Sequence, residues 1–262
     1  MFLLQQSEDS TSIRKLVKFL NINFPQIDLI VYGRGLELPS FTLARALSSL
    51  KNKIISTLNI YDFLFIYNPY VEVSNVIAFT GDENELRELL DGLESLRVRG
   101  SIYHCGVTDI KPRYNLISIN SLDKTFCEIN LSLSILKVLS NNKNTEREKR
   151  ILDQLNDLSD LDDYVKNYAK VFNLDLPILL SPVMVPAKSF LESLGINVSS
   201  YFDTKILDGA QIVYTGVDMY ITRRMIFSLK SKGKKVTDVL IDVDPLLAPI
   251  YLSMIMFYLK KK

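Results

Sequence analysis

Few side chains in this sequence are suited to acid–base or nucleophilic chemistry. The one histidine, His104, directly precedes Cys105 in a short predicted strand, where it is either a structural residue or a ligand-facing one. Neighbouring strand residues point to opposite faces, so the two do not form a cysteine–histidine pair. The acidic candidates for proton transfer are Glu37, Glu128 and Glu192, although a helical carboxylate is also commonly just solvated. One histidine and two distant cysteines do not make a metal-ligand set, so no metal site is expected.

Two glycine-containing turns, Gly33–Gly35 and Thr80–Glu83, each follow a predicted strand. A turn that leads from a strand into a helix presents unpaired backbone N–H groups and the positive end of the helix dipole, which suit an anion such as a phosphate. The same residues also have a structural interpretation, as a plain turn and as a helix capping box formed by Asp82 and Glu85. A dinucleotide fingerprint needs a third glycine that is absent here, so no nucleotide cofactor is expected.

The elements that must position these residues alternate between strands and helices. Extended segments are predicted at 27–32, 63–67, 76–80, 101–105, 116–119, 177–181, 210–215 and 239–243. Helices are predicted at 9–20, 39–50, 82–99, 125–139, 147–172, 187–194, 221–232 and 246–259. This alternation predicts an α/β fold with parallel sheets covered by helices on both faces.

One strand-and-turn segment occurs twice. Val76–Gly81 (VIAFTG) and Gln211–Gly216 (QIVYTG) lie 135 positions apart, and the elements around them follow the same order, which indicates an internal duplication. The polar stretch 141–150 contains no aliphatic residue and marks the junction, which gives a first half at 1–144 and a second half at 145–262. Each half is predicted to have three layers (αβα) around a mainly parallel five-stranded sheet.

This pattern resembles the sugar isomerase (SIS) domain, which occurs in tandem in the isomerase part of glucosamine-6-phosphate synthase and in archaeal phosphosugar isomerases. The segment 33–40 looks like the family's Gly-x-Gly-x-Ser opening turn, and Thr80–Glu83 takes the place of its Ser-Gly-Glu-Thr loop, with Glu83 replacing a hydroxyl residue. The resemblance implies that the ligand is a sugar phosphate. The substrate-binding residues that it implies are Gly33, Gly35, Ser40, Thr80, Gly81 and Thr215.

The resemblance also places the family's catalytic segment, Tyr-x-x-Gly-Glu-x-Lys-His-Gly-Pro, over residues 201–210. Tyr201 and Gly209 match, whereas Lys205 stands where the family has Glu and Asp208 where it has His. Glu128 lies in the helix that closes the first half, a region that the family places near its interdomain site. The catalytic residues are therefore unassigned, and the candidates are Glu128, His104 and Lys205.

The sequence thus predicts a phosphosugar-binding protein and leaves its chemistry open. One hypothesis is an aldose–ketose isomerase of hexose or amino-hexose phosphates, a reaction that needs a base and an acid. The alternative is a non-catalytic sugar-phosphate sensor, regulatory subunit or dimerisation scaffold, which the residues at 205 and 208 favour.

Charge and hydropathy argue against several other classes. The 31 Lys and Arg residues nearly balance the 30 Asp and Glu residues, so no general attraction to nucleic acid or to an anionic membrane is expected. The apolar run 246–259 contains Pro249 and is shorter than the about 20 residues of a membrane-spanning helix.

The expected setting is the cytoplasm. Residues 2–4 are too short an apolar run for a signal-peptide core. Cys105 and Cys127 do not make a disulfide framework and fit a reducing compartment. A homodimer is expected from apolar surface left over on the two closing helices, 125–139 and 246–259.

Overall fold

The computed structural model describes residues 12–24, 26–67, 72–110, 115–119, 124–203 and 209–261. Its first sheet is parallel throughout and has the order β2-β1-β3-β4-β5. The five strands are Leu29–Tyr32 (β1), Ser56–Asn59 (β2), Asn75–Thr80 (β3), Arg99–Cys105 (β4) and Asn115–Ile119 (β5). The order reverses direction between β1 and β3, and in such sheets this switch point is where ligands bind.

The second sheet is also parallel and has the order β7-β6-β8-β9. Its strands are Ile178–Leu180 (β6), Val198–Ser200 (β7), Gly209–Tyr214 (β8) and Lys235–Leu240 (β9). The prediction of five strands was wrong for this sheet, which has four in the described part of the chain. After β9 the backbone turns at Asp244, whose carbonyl accepts from the N–H groups of Leu247 and Ala248, and enters a helix at once. The first four strands of both sheets share one order, while the duplication itself stays a prediction.

The strands are joined by helices and two irregular turns. The helices are Ile13–Leu16 (α1), Glu37–Lys51 (α2), Glu83–Ser95 (α3), Lys124–Ser140 (α4), Glu146–Asn156 (α5), Leu161–Ala169 (α6), Lys188–Ser193 (α7), Met219–Ser231 (α8) and Ala248–Lys261 (α9). A π-helical turn spans Asp62–Tyr67, and a 3₁₀ turn spans Val185–Ala187. No helix in the described segments is long and apolar enough to cross a membrane.

Two predicted elements were wrong because distant or local hydrogen bonds override the apolar pattern. In the described part of the predicted helix 9–20, only Ile13–Leu16 is helical. Beyond it the backbone N–H groups of Lys18 and Leu20 donate to Asn130 and Ser134 on α4, at 3.0 and 2.8 Å. The segment 63–67 was predicted to be extended and instead lies in the π-helical turn, at whose start the Asp62 N–H donates to the Asn59 side chain.

The closing helices α4 and α9 lie inside the molecule. All ten residues from Ala248 to Phe257 are buried, and one apolar core runs from the first sheet through α4 and α9 to the second sheet. The expectation of leftover apolar surface on these helices was therefore wrong, because α2 and α5 pack over α4, and α6 packs over α9. Large exposed apolar side chains lie elsewhere, for example at Phe65 and Phe227. The homodimer and the boundary between residues 144 and 145 stay predictions.

A buried carboxylate links the two predicted halves. Glu148, near the start of α5, accepts from the Lys51 ammonium at the end of α2 at 2.6 Å. It also accepts from the backbone N–H groups of Asn144 and Thr145, at 2.6 and 3.1 Å. The hydrogen bond from Lys51 is the largest of the effects that hold the pKa of Glu148 below its ordinary value.

We expect Glu148→Ala to lower the free energy of unfolding by about 2–4 kcal/mol at neutral pH, because three donors lose a buried acceptor. Urea denaturation followed by circular dichroism measures this. The matched control is Glu146→Ala on the same helix, whose side chain is exposed and pairs with Lys149 at the surface, and it should cost less than about 1 kcal/mol. Equal losses in the two variants would contradict this account of Glu148.

Candidate functional site

A cleft of about 660 Å³ lies at the carboxyl ends of β1, β3 and β4, at the switch point of the first sheet. Strand ends and helix starts supply most of its lining. The lining residues are Arg34, Gly35, Leu36, Tyr61, Gly81, Asp82, Asn84, Glu85, Glu88, Cys105, Glu128 and Ser193. Among them, four carboxyl groups face one guanidinium, so the cleft is acidic.

Glu85 fills the turn that follows β1. Both of its carboxylate oxygens lie within hydrogen-bond distance of the Arg34 backbone N–H, at 3.0 and 3.2 Å. A Cβ atom on Gly33 would lie 2.2 Å from one of those oxygens, so a larger residue here would push the Glu85 carboxylate away from the Arg34 N–H. Burial raises the pKa of Glu85, while the Arg34 N–H opposes that shift.

Asp82 caps the helix that carries Glu85. Its side chain accepts from the backbone N–H groups of Asn84 and Glu85, at 2.8 and 3.1 Å. Of the predicted capping box this is the half that forms, because the Glu85 side chain turns toward Arg34 instead. The N–H groups of Asn84 and Glu85 are therefore satisfied within the protein.

Asp218 plays the same part in the second half. It is 4% exposed and accepts from the Val183 N–H at 3.0 Å, and from the N–H and hydroxyl of Thr215 at 2.8 Å each. Leu29 and Ile178 occupy matching positions in the two sheets. Arg34 lies five positions after Leu29, and Val183 lies five positions after Ile178, so the two turns are equivalent. Each half thus fills its first turn with an internal carboxylate.

Glu128 is the least satisfied group of the cleft. It is 6% exposed, and one of its oxygens has no hydrogen-bond partner among the described residues. Burial raises the pKa of Glu128 well above its ordinary value, and the nearby charge of Glu37 raises it further. An oxygen of Glu37 is likewise buried without a described partner. Burial therefore favours the protonated form of Glu128, a carboxyl group that is able to donate as well as accept hydrogen bonds.

No protein-family model matches the sequence, and no curated protein matches it. Solved structures match it along most of its length. A glucosamine-6-phosphate deaminase from Thermotoga maritima superposes with a TM-score of 0.64 at 11% identity, covering 89% of this chain and 84% of that one. A tagatose-6-phosphate ketose/aldose isomerase from Escherichia coli superposes with a TM-score of 0.63 at 11% identity, covering 90% and 82%.

The C-terminal domain of glucosamine-fructose-6-phosphate aminotransferase from Francisella tularensis gives a TM-score of 0.63 at 11% identity, covering 90% of this chain and 83% of that chain. The chain has a SIS-like fold. At such identities the likeness establishes the architecture, and the chemistry has to be argued from the residues of the cleft.

The SIS-like fold brings some of the predicted site residues to the cleft and leaves others in the core. Gly35, Gly81 and Glu128 line it. Ser40 is buried and its hydroxyl donates to the Leu36 carbonyl at 2.8 Å. The N–H of Gly33 donates to the Phe79 carbonyl, also at 2.8 Å.

His104 and Thr80 hold each other between β3 and β4. The Thr80 hydroxyl lies 2.9 Å from Nδ1 of His104, and both residues are buried outside the lining of the cleft. In the second half, the backbone N–H and the hydroxyl of Thr215 both donate to Asp218. Lys205 and Asp208 lie outside the described residues.

Several lining residues escaped the sequence analysis. Tyr61 precedes the π-helical turn, Glu88 lies on α3, and Ser193 reaches the cleft from α7 in the second half. A hydrogen bond to Glu88 raises the pKa of Tyr61. Asp82, Glu85 and Glu88 recur every three residues from the cap of α3 onward, and this spacing was the sequence signal for the acidic side of the cleft. No local sequence pattern indicates that Ser193 lines the cleft.

The two cysteines form a disulfide, which corrects the expectation of unpaired cysteines. Cys105 ends β4, Cys127 lies in the first turn of α4, and their Cα atoms are 5.9 Å apart. The strand end and the helix start meet only in the folded chain, so spacing in the sequence does not reveal the pair. The bond lies beside Glu128 and fixes the start of α4 against the cleft.

We expect reduction of this disulfide to lower the free energy of unfolding by about 3 kcal/mol, since it closes a loop with a sequence separation of 22 residues. Urea denaturation with and without a phosphine reductant measures the difference. A Cys105→Ala/Cys127→Ala variant is the control and should be insensitive to the reductant. An unchanged midpoint for the native sequence would show that the bond contributes nothing.

Glu128 should also make stability depend on pH. Because its pKa is raised in the folded state, its contribution is greatest below the ordinary carboxyl pKa of about 4.3 and is lost as the pH rises through the raised value. We expect Glu128→Gln to gain stability relative to the native sequence as the pH rises above about 4.3. Glu192→Gln, at an exposed position, is the control. Parallel pH profiles for the native protein and Glu128→Gln would rule this out.

Proposed function

We propose that this chain binds a carbohydrate derivative in the cleft of its first half. The observation that carries the proposal is Glu128, a buried carboxyl group with an unpartnered oxygen in the wall of a cleft at the switch point of the sheet. A buried polar atom of this kind requires a partner, and a small hydroxylated ligand supplies one. A volume of about 660 Å³ suits a ligand of one or two sugar rings.

The proteins of like fold support a sugar as the ligand. The names of the three matched structures refer to glucosamine 6-phosphate, tagatose 6-phosphate and glucosamine-fructose-6-phosphate. Carboxylate and amide oxygens such as those of Asp82, Asn84 and Glu88 accept hydrogen bonds from sugar hydroxyls, and Tyr61 offers a ring for one face of a sugar. A sugar is therefore the proposed ligand, as the sequence predicts.

A binding or sensing role fits the cleft better than isomerisation. The histidine is held in the sheet by Thr80 and does not line the cleft. Glu85 and Asp82 are committed to backbone N–H groups, which removes them as mobile bases. The proposal is accordingly a carbohydrate-binding protein, with a sensor or regulatory subunit as its biological role.

Isomerisation is the second candidate, and Glu128 is the observation that favours it. A buried carboxyl group whose pKa is raised is suited to act as a general acid, and Glu37, whose charge acts on it, provides a second carboxyl group. Any sugar that binds should therefore be tested for aldose–ketose interconversion. Turnover that Glu128→Gln abolishes would move the protein from the binding class to the isomerase class.

We expect at least one sugar in a panel of hexoses, amino sugars and their phosphates to raise the melting temperature. A ligand at 100 times its dissociation constant stabilises the native state by about 2.7 kcal/mol. Tyr61→Ala should weaken binding about tenfold by removing a wall of the cleft, which corresponds to about 1.4 kcal/mol.

Phe65→Ala is the matched control, because Phe65 stacks on Tyr61 and does not line the cleft. It should leave the affinity within about twofold, well inside 1 kcal/mol. The absence of a shift with every sugar would refute carbohydrate binding, and equal losses in the two variants would place the ligand outside the cleft.

A further inference from the structure

Internal carboxylates occupy three backbone N–H groups at the turns of the cleft. At the turn after β1 the Arg34 N–H donates to Glu85, at 3.0 and 3.2 Å to its two oxygens. At the start of α3 the N–H groups of Asn84 and Glu85 donate to Asp82. Unpaired N–H groups at such turns are what makes them bind anions, and these three are no longer available to a phosphate.

The charge of the cleft also opposes a phosphate. Among the described lining residues, the carboxylates of Asp82, Glu85 and Glu88 face the single guanidinium of Arg34, and burial favours the protonated form of Glu128. Glu85 is only 6% exposed, so water screens its charge weakly. A phosphate dianion in this cleft would meet more negative than positive charge at close range.

In the second half, an internal carboxylate likewise occupies backbone N–H groups of the equivalent turn. The Val183 N–H and both donors of Thr215 are taken by the buried Asp218. The carbonyls of Pro182 and Val183 accept from the Arg45 guanidinium of α2, which lies over this turn. The two halves therefore close the equivalent turns in the same way.

Glu128 indicates what the cleft takes instead. Glu128 lines the cleft and has one buried oxygen without a described partner, and Glu37, whose charge acts on Glu128, has another. A protonated amine is the group that satisfies several carboxyl oxygens at once, because it carries three donors and a positive charge. Hydroxyl groups on the same ligand match the remaining acceptors.

We propose that the cleft binds an unphosphorylated amino sugar, and that Glu85 is the residue that excludes the phosphorylated form. This inference rests on the proposed carbohydrate-binding function and names its ligand class. Glu85 acts twice, because it removes the Arg34 N–H as a donor and places a negative charge where a phosphate would lie.

Isothermal titration calorimetry on the full chain tests the ligand class. The probes are glucosamine, N-acetylglucosamine and glucosamine 6-phosphate at pH 7. We expect glucosamine to bind at least tenfold more tightly than either of the others, since the acetyl group removes the cation and the phosphate adds a repelled anion. Equal or tighter binding of glucosamine 6-phosphate would overturn the inference and leave carbohydrate binding in place. Binding of none of the three would overturn both.

The Glu85→Gln variant tests the assigned residue. It keeps the size of the side chain and an acceptor for the Arg34 N–H while removing one negative charge. We expect it to improve the affinity for glucosamine 6-phosphate at least tenfold relative to the native sequence. Asp91→Asn removes the same charge from an exposed position on α3 outside the cleft and should change the affinity less than twofold. Equal effects of the two variants, or none from Glu85→Gln, would overturn the role of Glu85.

The Glu88→Gln variant provides a second measurement that does not depend on a buried substitution. Glu88 is exposed at the rim of the cleft, so its replacement leaves the core untouched. We expect glucosamine to bind at least threefold more weakly to this variant and N-acetylglucosamine to be unaffected. A uniform change for both sugars would contradict recognition of the amine.

Discussion

Backbone N–H groups buried at a strand-to-helix turn must find an acceptor, and in this protein an acidic side chain supplies it in each half. Glu85 reaches back to Arg34, and Asp218 reaches Val183. Much of the local structure follows from these two contacts. At Gly33 the Glu85 carboxylate occupies the space that a side chain would need. Asp82 has to cap α3 alone because Glu85 is engaged elsewhere.

The same carboxylates set the character of the cleft. A turn of the kind that binds anions becomes part of an acidic wall, and the buried Glu128 adds a carboxyl group that lacks a described partner on one oxygen. The fold is that of proteins named for sugar phosphates, yet the described lining of this cleft is acidic. The proposed ligand follows from this difference between architecture and charge.

Charge-assisted contacts join α2 to the part of the chain that follows residue 144. The Lys51 ammonium donates to Glu148 of α5, and the Arg45 guanidinium donates to the carbonyls of Pro182 and Val183. These contacts are partly buried, so they are stronger than surface ion pairs. Ser193 of α7 lines the cleft, and the Cys105–Cys127 bond joins β4 to α4 beside Glu128.

Local pattern in the sequence by itself determined the strands β3 and β8, the apolar stripe of α3, the Asp82 cap and the position of the first turns. These features depend on residues within one or two turns of each other. Only the tertiary structure decided that Glu85 meets Arg34, 51 positions away, that Cys105 meets Cys127, and that Glu128 is buried in the cleft wall. The hydrogen-bond partner, the charge state and the burial of a side chain depend on neighbours that the packing of helices on sheets brings together. These neighbours are distant in the sequence, so no local sequence pattern indicates them.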